Sequence, residues 1–288
     1  MATGTAKKLS YFFILISFLC LGADHPKNID NMPLVKSHNV SLGETPRVQR
    51  GIEYRKYLSA GVLVINGEIK GSGTIVYYDK TKNIAYIASC GHLWTGNSLK
   101  NDTKLCKIKI WYHNEVKLKE PETYNANVLF YDNVYDTSLI CFNPTWEPIY
   151  FPIAPVNYNI SSGSTQHSIG CEFAEEVAHY EVEVVGYGQQ KGRQQLITIR
   201  NSPRMGRSGG GLLTDDGYYI GTCWGTSNYD GTGEGYFTTL DSIYKVWQKN
   251  GYSFLLNEPL PIFAQKMSII DRNQKQGKYK ESYILIPK

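Results

Sequence analysis

Short apolar runs, broken by glycine, asparagine and aspartate, recur along most of the chain. They are rich in Val, Ile and Tyr, and they fall at residues 61–65, 74–78, 84–89, 108–112, 126–130, 138–142, 182–187, 195–199 and 218–224. Runs of this length, bounded by turn residues, predict β-strands. Helical periodicity is nearly absent before residue 240, so the pattern predicts an all-β chain.

One helix is predicted after the last strands. The apolar residues at 240, 243, 244, 246 and 247 fit one face of a helix, and Asn250-Gly251 provides a stop signal. The proline-rich stretch 144–155 divides the predicted strands into two groups. Because strands lie on both sides of this stretch, we expect two all-β units, at residues 51–148 and 160–240.

The first residues have a different character from the rest of the chain. Lys7-Lys8 precedes a short apolar core at 11–19, and small residues follow up to Ala23. This order is typical of a signal peptide, so residues 1–23 predict a secreted or periplasmic protein with no stable membrane insertion after cleavage. An uncleaved N-terminal anchor is the alternative. Residues 24–50 are polar and contain three prolines, which favours a flexible lead-in or pro-segment.

Composition narrows the possible functions. The 288 residues carry a formal net charge of +4, and the charges are spread along the chain. This modest charge gives no case for nucleic acid binding. The oligomeric state cannot be predicted from these properties.

Three motifs contain residues suited to nucleophilic catalysis. Ser208 lies in the glycine-rich run 205–211, His92 follows Cys90-Gly91, and Asp136 directly precedes an apolar run. A serine needs a base to become a nucleophile, and the base needs an acid to orient it. Asp132 competes for the acid role, but no apolar strand follows it, so Asp136 is favoured.

In their order and local context, these motifs resemble the trypsin/chymotrypsin superfamily, and more closely its bacterial HtrA-type or trypsin-like peptidase members. His…Asp…Ser is the chain order of chymotrypsin-type proteases. The resemblance covers about residues 51–255 and implies two packed six-stranded antiparallel β-barrels with a C-terminal helix. Residues 256–288 are interpreted as a C-terminal tail, without the peptide-binding module that usually follows in HtrA proteins.

The resemblance implies a secreted serine endopeptidase that cleaves polypeptides through an acyl-enzyme. Ser208 would be the nucleophile, His92 the base and Asp136 the orienting acid, with the backbone N–H groups of Gly206 and Ser208 facing the oxyanion. No cofactor and no metal are expected. A catalytically dead protease scaffold, or an esterase or acyltransferase, stays open as an alternative.

Residues of a substrate pocket are also implied by the resemblance. Cys223, Trp224 and Gly225 resemble the strand that ends Ser-Trp-Gly in the family, and Gly235 resembles the opposite wall. Ser202 falls near the pocket floor, where no acid is available to pair with Lys or Arg. An uncharged, open slot favours cleavage after apolar or aromatic residues.

The chain departs from the family directly before the nucleophile. Arg207 occupies a position where animal members carry aspartate and bacterial members usually asparagine. A guanidinium cannot accept a new N-terminal ammonium, so no trypsin-like activation switch is expected. The simplest interpretation is a solvated side chain that points away from the pocket.

Five cysteines remain if signal cleavage removes Cys20. Disulfides are possible outside the cytosol, and a bridge between Cys90 and Cys106 would brace the histidine loop. An odd number leaves at least one thiol unpaired, and Cys223 is expected to be a buried free thiol. A metal site at Cys90 and His92 lacks a second pair of ligands in the sequence and is not favoured.

Overall fold

The computed structural model describes residues 49–95, 105–190, 194–201, 203–228, 233–256 and 259. The predicted signal peptide, most of the lead-in, Ser202 and nearly all of the predicted tail lie outside these residues. Among the described residues, no helix is long and apolar enough to cross a membrane.

The first six strands close into an antiparallel barrel in the order β1-β2-β3-β6-β5-β4. Their bounds are β1 Gly61–Asn66, β2 Ile69–Asp79, β3 Ile84–Ser89, β4 Leu105–His113, β5 Val116–Asp132 and β6 Thr137–Phe142. Fully buried Val, Ile and Phe side chains fill this first barrel, because successive residues of each strand alternate between its inside and outside.

The next six strands close into a second barrel, in the order β10-β11-β12-β9-β8-β7. Their bounds are β7 Thr165–Cys171, β8 Val177–Gln190, β9 Gln194–Arg200, β10 Gly211–Leu213, β11 Tyr219–Thr226 and β12 Glu234–Thr238. The prediction of two six-stranded antiparallel barrels is therefore confirmed.

Two helices flank the barrels within the described part of the chain. The helix α1 (Arg55–Ala60) precedes β1, and α2 (Leu240–Lys249) follows β12. All five apolar positions predicted for α2 are buried, and Gly251 follows with a φ of +84°, which suits a glycine stop. The Trp247 indole of α2 donates to Thr137 Oγ1 at 3.2 Å, so this helix packs against the first barrel.

The segment before β1 covers a pair of buried histidines in the second barrel. Tyr54 stacks on His179 and Tyr57 on His167, with ring centroids 4.3 and 4.2 Å apart. The two imidazoles are joined by a 2.8 Å contact between His167 Nδ1 and His179 Nε2. Gln49 pairs with the backbone of His179, so the chain is fixed to β8 before it enters the first barrel.

Candidate active site

His92 and Asp136 come from two neighbouring strands of the first barrel. β3 ends at Ser89, and His92 begins a short 3₁₀ turn, while Asp136 lies directly before β6 with a φ of +49°. Position 91, directly before His92, requires glycine, because a Cβ there would lie 2.2 Å from the Asp132 carbonyl oxygen.

The Asp136 carboxylate holds both the backbone and the ring of His92. Its Oδ1 accepts the His92 N–H at 2.7 Å, and His92 Nδ1 lies 3.0 and 2.9 Å from the two carboxylate oxygens. An ionised carboxylate only accepts hydrogen bonds, so Nδ1 carries a proton, and the second ring nitrogen, Nε2, faces away from Asp136. The carboxylate is 3% exposed and the imidazole 41% exposed, which leaves the ring open to the cleft.

Asp132, the competing acid, has a different role. Its Oδ1 accepts the N–H groups of Val134 and Tyr135, both at 2.8 Å. These bonds close the turn between β5 and β6. Asp132 therefore stabilises the turn that positions Asp136 beside His92.

Burial and two neighbouring groups shift the pKa of His92 in opposite directions. Burial lowers this pKa, whereas the interactions of the imidazole with Cys90 and with the Asp136 carboxylate raise it, and the net direction is upward. Burial raises the pKa of the Cys90 thiol as well.

Ser208 lies in a turn held between the two barrels. Its carbonyl oxygen accepts the N–H of Ser72 in β2 at 2.7 Å. The following Gly209 has a φ of +89°, and a Cβ there would meet Ser89 Oγ at 2.4 Å and Cys90 N at 3.1 Å. The serine turn thus packs directly onto the residues that precede His92.

The backbone around Gly206 leaves two N–H groups available. Gly206 has a φ of +93°, and a Cβ there would lie 2.8 Å from the Cys171 carbonyl oxygen. Its own carbonyl accepts the Ser72 hydroxyl at 2.8 Å, which fixes the peptide. Neither the Gly206 nor the Ser208 N–H donates to another described residue. Two such groups in one turn are suited to binding a developing oxyanion.

Arg207 is buried, which corrects the expectation of a solvated side chain. It is 1% exposed, and its guanidinium donates to Gly170 O at 3.2 Å, Ala178 O at 3.3 Å and Ser168 Oγ at 2.8 Å. It also lies 4.5 Å from the centre of the Tyr180 ring. The guanidinium therefore anchors the serine turn to β7 and β8.

The predicted pocket residues lie on adjacent strands of the second barrel. Cys223 is in β11, where its carbonyl accepts the Gly209 N–H at 2.9 Å, and Trp224 follows it half-buried. Gly225 faces open space, as expected, whereas a Cβ at Gly235 would meet Pro203 Cδ at 2.4 Å. One wall is therefore open and the other is packed. Ser202, the expected floor, lies outside the described residues.

The expected disulfide is absent. All five cysteines of the described residues are free, including Cys90 and Cys106, and Cys223 is the buried free thiol that the sequence predicts. Cys90 Sγ instead lies 3.6 Å from His92 Nε2. In the sequence, the Cys-x-His spacing of Cys90 and His92 was the one available signal of this contact.

Two closed six-stranded barrels, with a serine turn and a carboxylate-bound histidine between them, define the chymotrypsin-like class. A model of the trypsin-like peptidase domain matches residues 71–221, just over half of the chain. The chain therefore belongs to the trypsin-like peptidase family.

Solved structures of proteases share this fold. An inactive serine-to-alanine variant of Rv3671c from M. tuberculosis H37Rv is 15% identical with a TM-score of 0.54, over 77% of this chain and 100% of that one. A serine endoprotease from Yersinia pestis is 19% identical with a TM-score of 0.51, over 71% and 68%. A search of curated proteins finds no match. At these identities the likeness establishes the fold alone.

Proposed function

We propose that the chain is a secreted serine endopeptidase, which hydrolyses peptide bonds through an acyl-enzyme on Ser208. The observation that carries this proposal is the hydrogen bond between the His92 ring and the Asp136 carboxylate, in which Nδ1 lies 2.9 Å from a carboxylate oxygen. Because Asp136 binds Nδ1, Nε2 is the nitrogen that can act as the base. The serine turn supplies the N–H groups of Gly206 and Ser208, which donate to no described residue. The family supports a peptidase, and these residues support the serine mechanism.

The first half of the reaction forms the acyl-enzyme. Ser208 Oγ attacks the carbonyl carbon while its proton passes to His92 Nε2. The negative charge that develops on the carbonyl oxygen is stabilised by the N–H groups of Gly206 and Ser208. When the intermediate collapses, the C–N bond breaks and the leaving amine takes the proton from Nε2. Asp136 keeps its charge throughout and stabilises the imidazolium.

The second half releases the product. Water attacks the acyl carbon, and its proton passes to Nε2 and then to Ser208 Oγ as the C–O bond breaks. In the free chain the Ser208 hydroxyl has no hydrogen-bond partner among the described residues. Catalytic hydrogen bonds are often long or unformed before substrate binds, so this geometry is compatible with the mechanism.

Labelling with a fluorophosphonate probe tests the proposal directly. The purified chain should be modified at Ser208, located by peptide mass spectrometry. Ser208→Ala and His92→Ala should each abolish labelling and turnover. Ser162→Ala, at an exposed serine in the turn before β7, is the matched control and should leave both unchanged. Unmodified wild-type chain that is also inactive on peptides would favour the dead-scaffold alternative, and ester turnover without peptide turnover would favour an esterase.

Asp136→Asn separates the role of the acid from folding. The amide donates to Nδ1, so the ring is held in the wrong tautomer and the proton occupies Nε2. The turnover number should fall by about 10⁴ while the unfolding midpoint changes little. Turnover within tenfold of wild type would exclude Asp136 as the orienting acid.

The cleavage preference is proposed to be for bulky apolar or aromatic residues, because Gly225 leaves one wall of the pocket open. Profiling with a peptide library tests this. A dominant preference for Arg, Lys or Glu at the cleaved position would show that the pocket has been misassigned. Secretion is tested by sequencing the N-terminus of the exported chain, which should begin shortly after residue 23.

A further inference from the structure

A thiol that the peptidase mechanism does not use lies against the catalytic base. Cys90 is completely buried, and its Sγ lies 3.6 Å from His92 Nε2. Ligand atoms of Cys90, His92 and Asp136 all lie within 4.8 Å of one another. A small apolar side chain would fill the same space, so packing alone does not require a sulfur at this position.

The distance between Cys90 Sγ and His92 Nε2 matches the distance between two ligand atoms of a tetrahedral metal ion. Zinc binds cysteine sulfur at about 2.3 Å and histidine nitrogen at about 2.0–2.1 Å, so a tetrahedral angle places these ligands about 3.6 Å apart. Cys90 Sγ and His92 Nε2 already have this separation. An ion bound to both atoms would therefore have ordinary bond lengths at this separation.

Asp136 completes the arrangement from the other side of the ring. A metal-bound histidine almost always donates its second N–H to a carboxylate or carbonyl, which fixes the ring and raises its basicity. His92 Nδ1 has this partner in Asp136, and Nε2 is the nitrogen that faces Cys90 Sγ. The half-exposed imidazole also gives an ion access from the cleft.

We propose that Cys90 Sγ and His92 Nε2 form an inhibitory binding site for a thiophilic divalent cation such as Zn²⁺, with Asp136 orienting the ring and solvent filling the remaining positions. On binding, the S–H proton of Cys90 is released to solvent as the sulfur–metal bond forms. The inhibitory effect rests on the proposed function, because the ion occupies the nitrogen that must accept the Ser208 proton. Thiolate ligands favour such ions over Mg²⁺ and Ca²⁺.

Metal binding can be measured without any assay of activity. Titration of the folded chain with Co²⁺ should produce a thiolate-to-metal charge-transfer band, and competition with a chromophoric chelator should give the Zn²⁺ affinity at one ion per chain. Cys90→Ala should abolish the band, and Cys90→Ser gives a second variant of similar volume whose hydroxyl is a poor ligand. Cys106→Ala, a buried cysteine of the same barrel, is the control and should bind as wild type does.

The orienting carboxylate provides a graded test. Asp136→Asn should weaken Zn²⁺ binding about 10–100-fold, as loss of such a partner typically does, and Cys90→Ala should weaken it more. Wild type that binds no Zn²⁺, or Cys90 variants that bind it as tightly as wild type, would overturn the site.

Inhibition is then tested with the fluorophosphonate probe and a peptide substrate. Zn²⁺ should suppress labelling and turnover of wild type, EDTA should restore both, and Mg²⁺ should have no effect. Each Cys90 variant, compared with its own metal-free rate, should resist Zn²⁺. Binding that depends on Cys90 but leaves the rate unchanged would overturn the inhibitory role. Binding in a chain that never labels or turns over would retain the site and refute the proposed function.

Discussion

Removal of the buried guanidinium of Arg207, directly before Ser208, should destabilise the whole protein. Arg207→Ala deletes three hydrogen bonds, to Gly170 O, Ala178 O and Ser168 Oγ, and the contact with the Tyr180 ring. A buried acceptor left unsatisfied costs about 1–3 kcal/mol, and a desolvated cation–π contact about 2 kcal/mol. Because the acceptors partly re-pair and these terms do not add, we expect a loss of about 3–5 kcal/mol, as for other broken buried charge networks.

Urea denaturation of the full chain, followed by tryptophan fluorescence, measures this loss as the free energy of unfolding. Arg204→Ala is the matched control. Arg204 has a side chain that is 34% exposed and a guanidinium nitrogen 3.9 Å from the Glu172 carboxylate, so its loss should cost below about 1 kcal/mol. If Arg207→Ala unfolded within about 0.5 kcal/mol of wild type, the network would carry no stability and the reasoning would be refuted.

Two further substitutions at position 207 test whether the guanidinium anchors the serine turn or is merely accommodated there. Asparagine, usual in the bacterial relatives, is too short to span from the serine turn to β7 and β8. Arg207→Asn should therefore destabilise the chain and reduce probe labelling at Ser208. Arg207→Lys keeps the charge but loses the planar fork of donors, so its stability should fall between those of wild type and alanine. Increased labelling of the asparagine variant would contradict this account.

Three further changes test other parts of the structure. Burial lowers the pKa of His179 to about 2, so between this value and the ordinary pKa of 6.5 only the unfolded chain takes up the proton. The free energy of unfolding should therefore fall by about 1.4 kcal/mol per pH unit as the pH drops below 6.5. His179→Phe should remove this contribution, as measured by urea denaturation at each pH. Gly206→Ala should lower the turnover number about 10²–10³-fold by displacing an oxyanion donor, whereas Gly163→Ala, also at positive φ but facing open space, should leave kinetics unchanged. Trp247→Ala should cost about 3–5 kcal/mol in urea denaturation, and the exposed neighbour change Gln248→Ala should cost little; equal losses would contradict the packing of α2.

The sequence was most informative where side-chain pattern and burial coincide. β3 spans Ile84–Ser89, the same residues as the predicted run, because successive side chains from Ala85 onward are buried on both faces. The face of α2 follows equally well from its spacing. Asp136 could be chosen over Asp132 because an apolar strand follows it, and that strand is β6.

Other elements are set by tertiary contacts that no local pattern reports. The sequence of β7 is polar, although Gln166, His167 and Ser168 are all buried. His167 contacts His179, and Ser168 accepts a hydrogen bond from the guanidinium of Arg207. The helix α1 has only six residues, too few to show a helical period. The sequence left the pairing of cysteines open; Cys90 and Cys106 are both free thiols, and Cys90 Sγ lies 3.6 Å from His92 Nε2. Arginine at 207 gave no sign of burial, because its partners are backbone carbonyls of distant strands.

The packing of α2 on the first barrel affects when, during synthesis, the proposed active site can be complete. The indole of Trp247 donates to Thr137, the residue that directly follows Asp136, across 110 positions of sequence. A ribosome makes all three proposed catalytic residues before it makes this helix. A chain arrested before residue 240 would thus hold every group of the reaction and yet lack the contact that braces the acid's strand. The proposed peptidase activity should therefore appear only after α2 has been synthesised and has packed against Thr137.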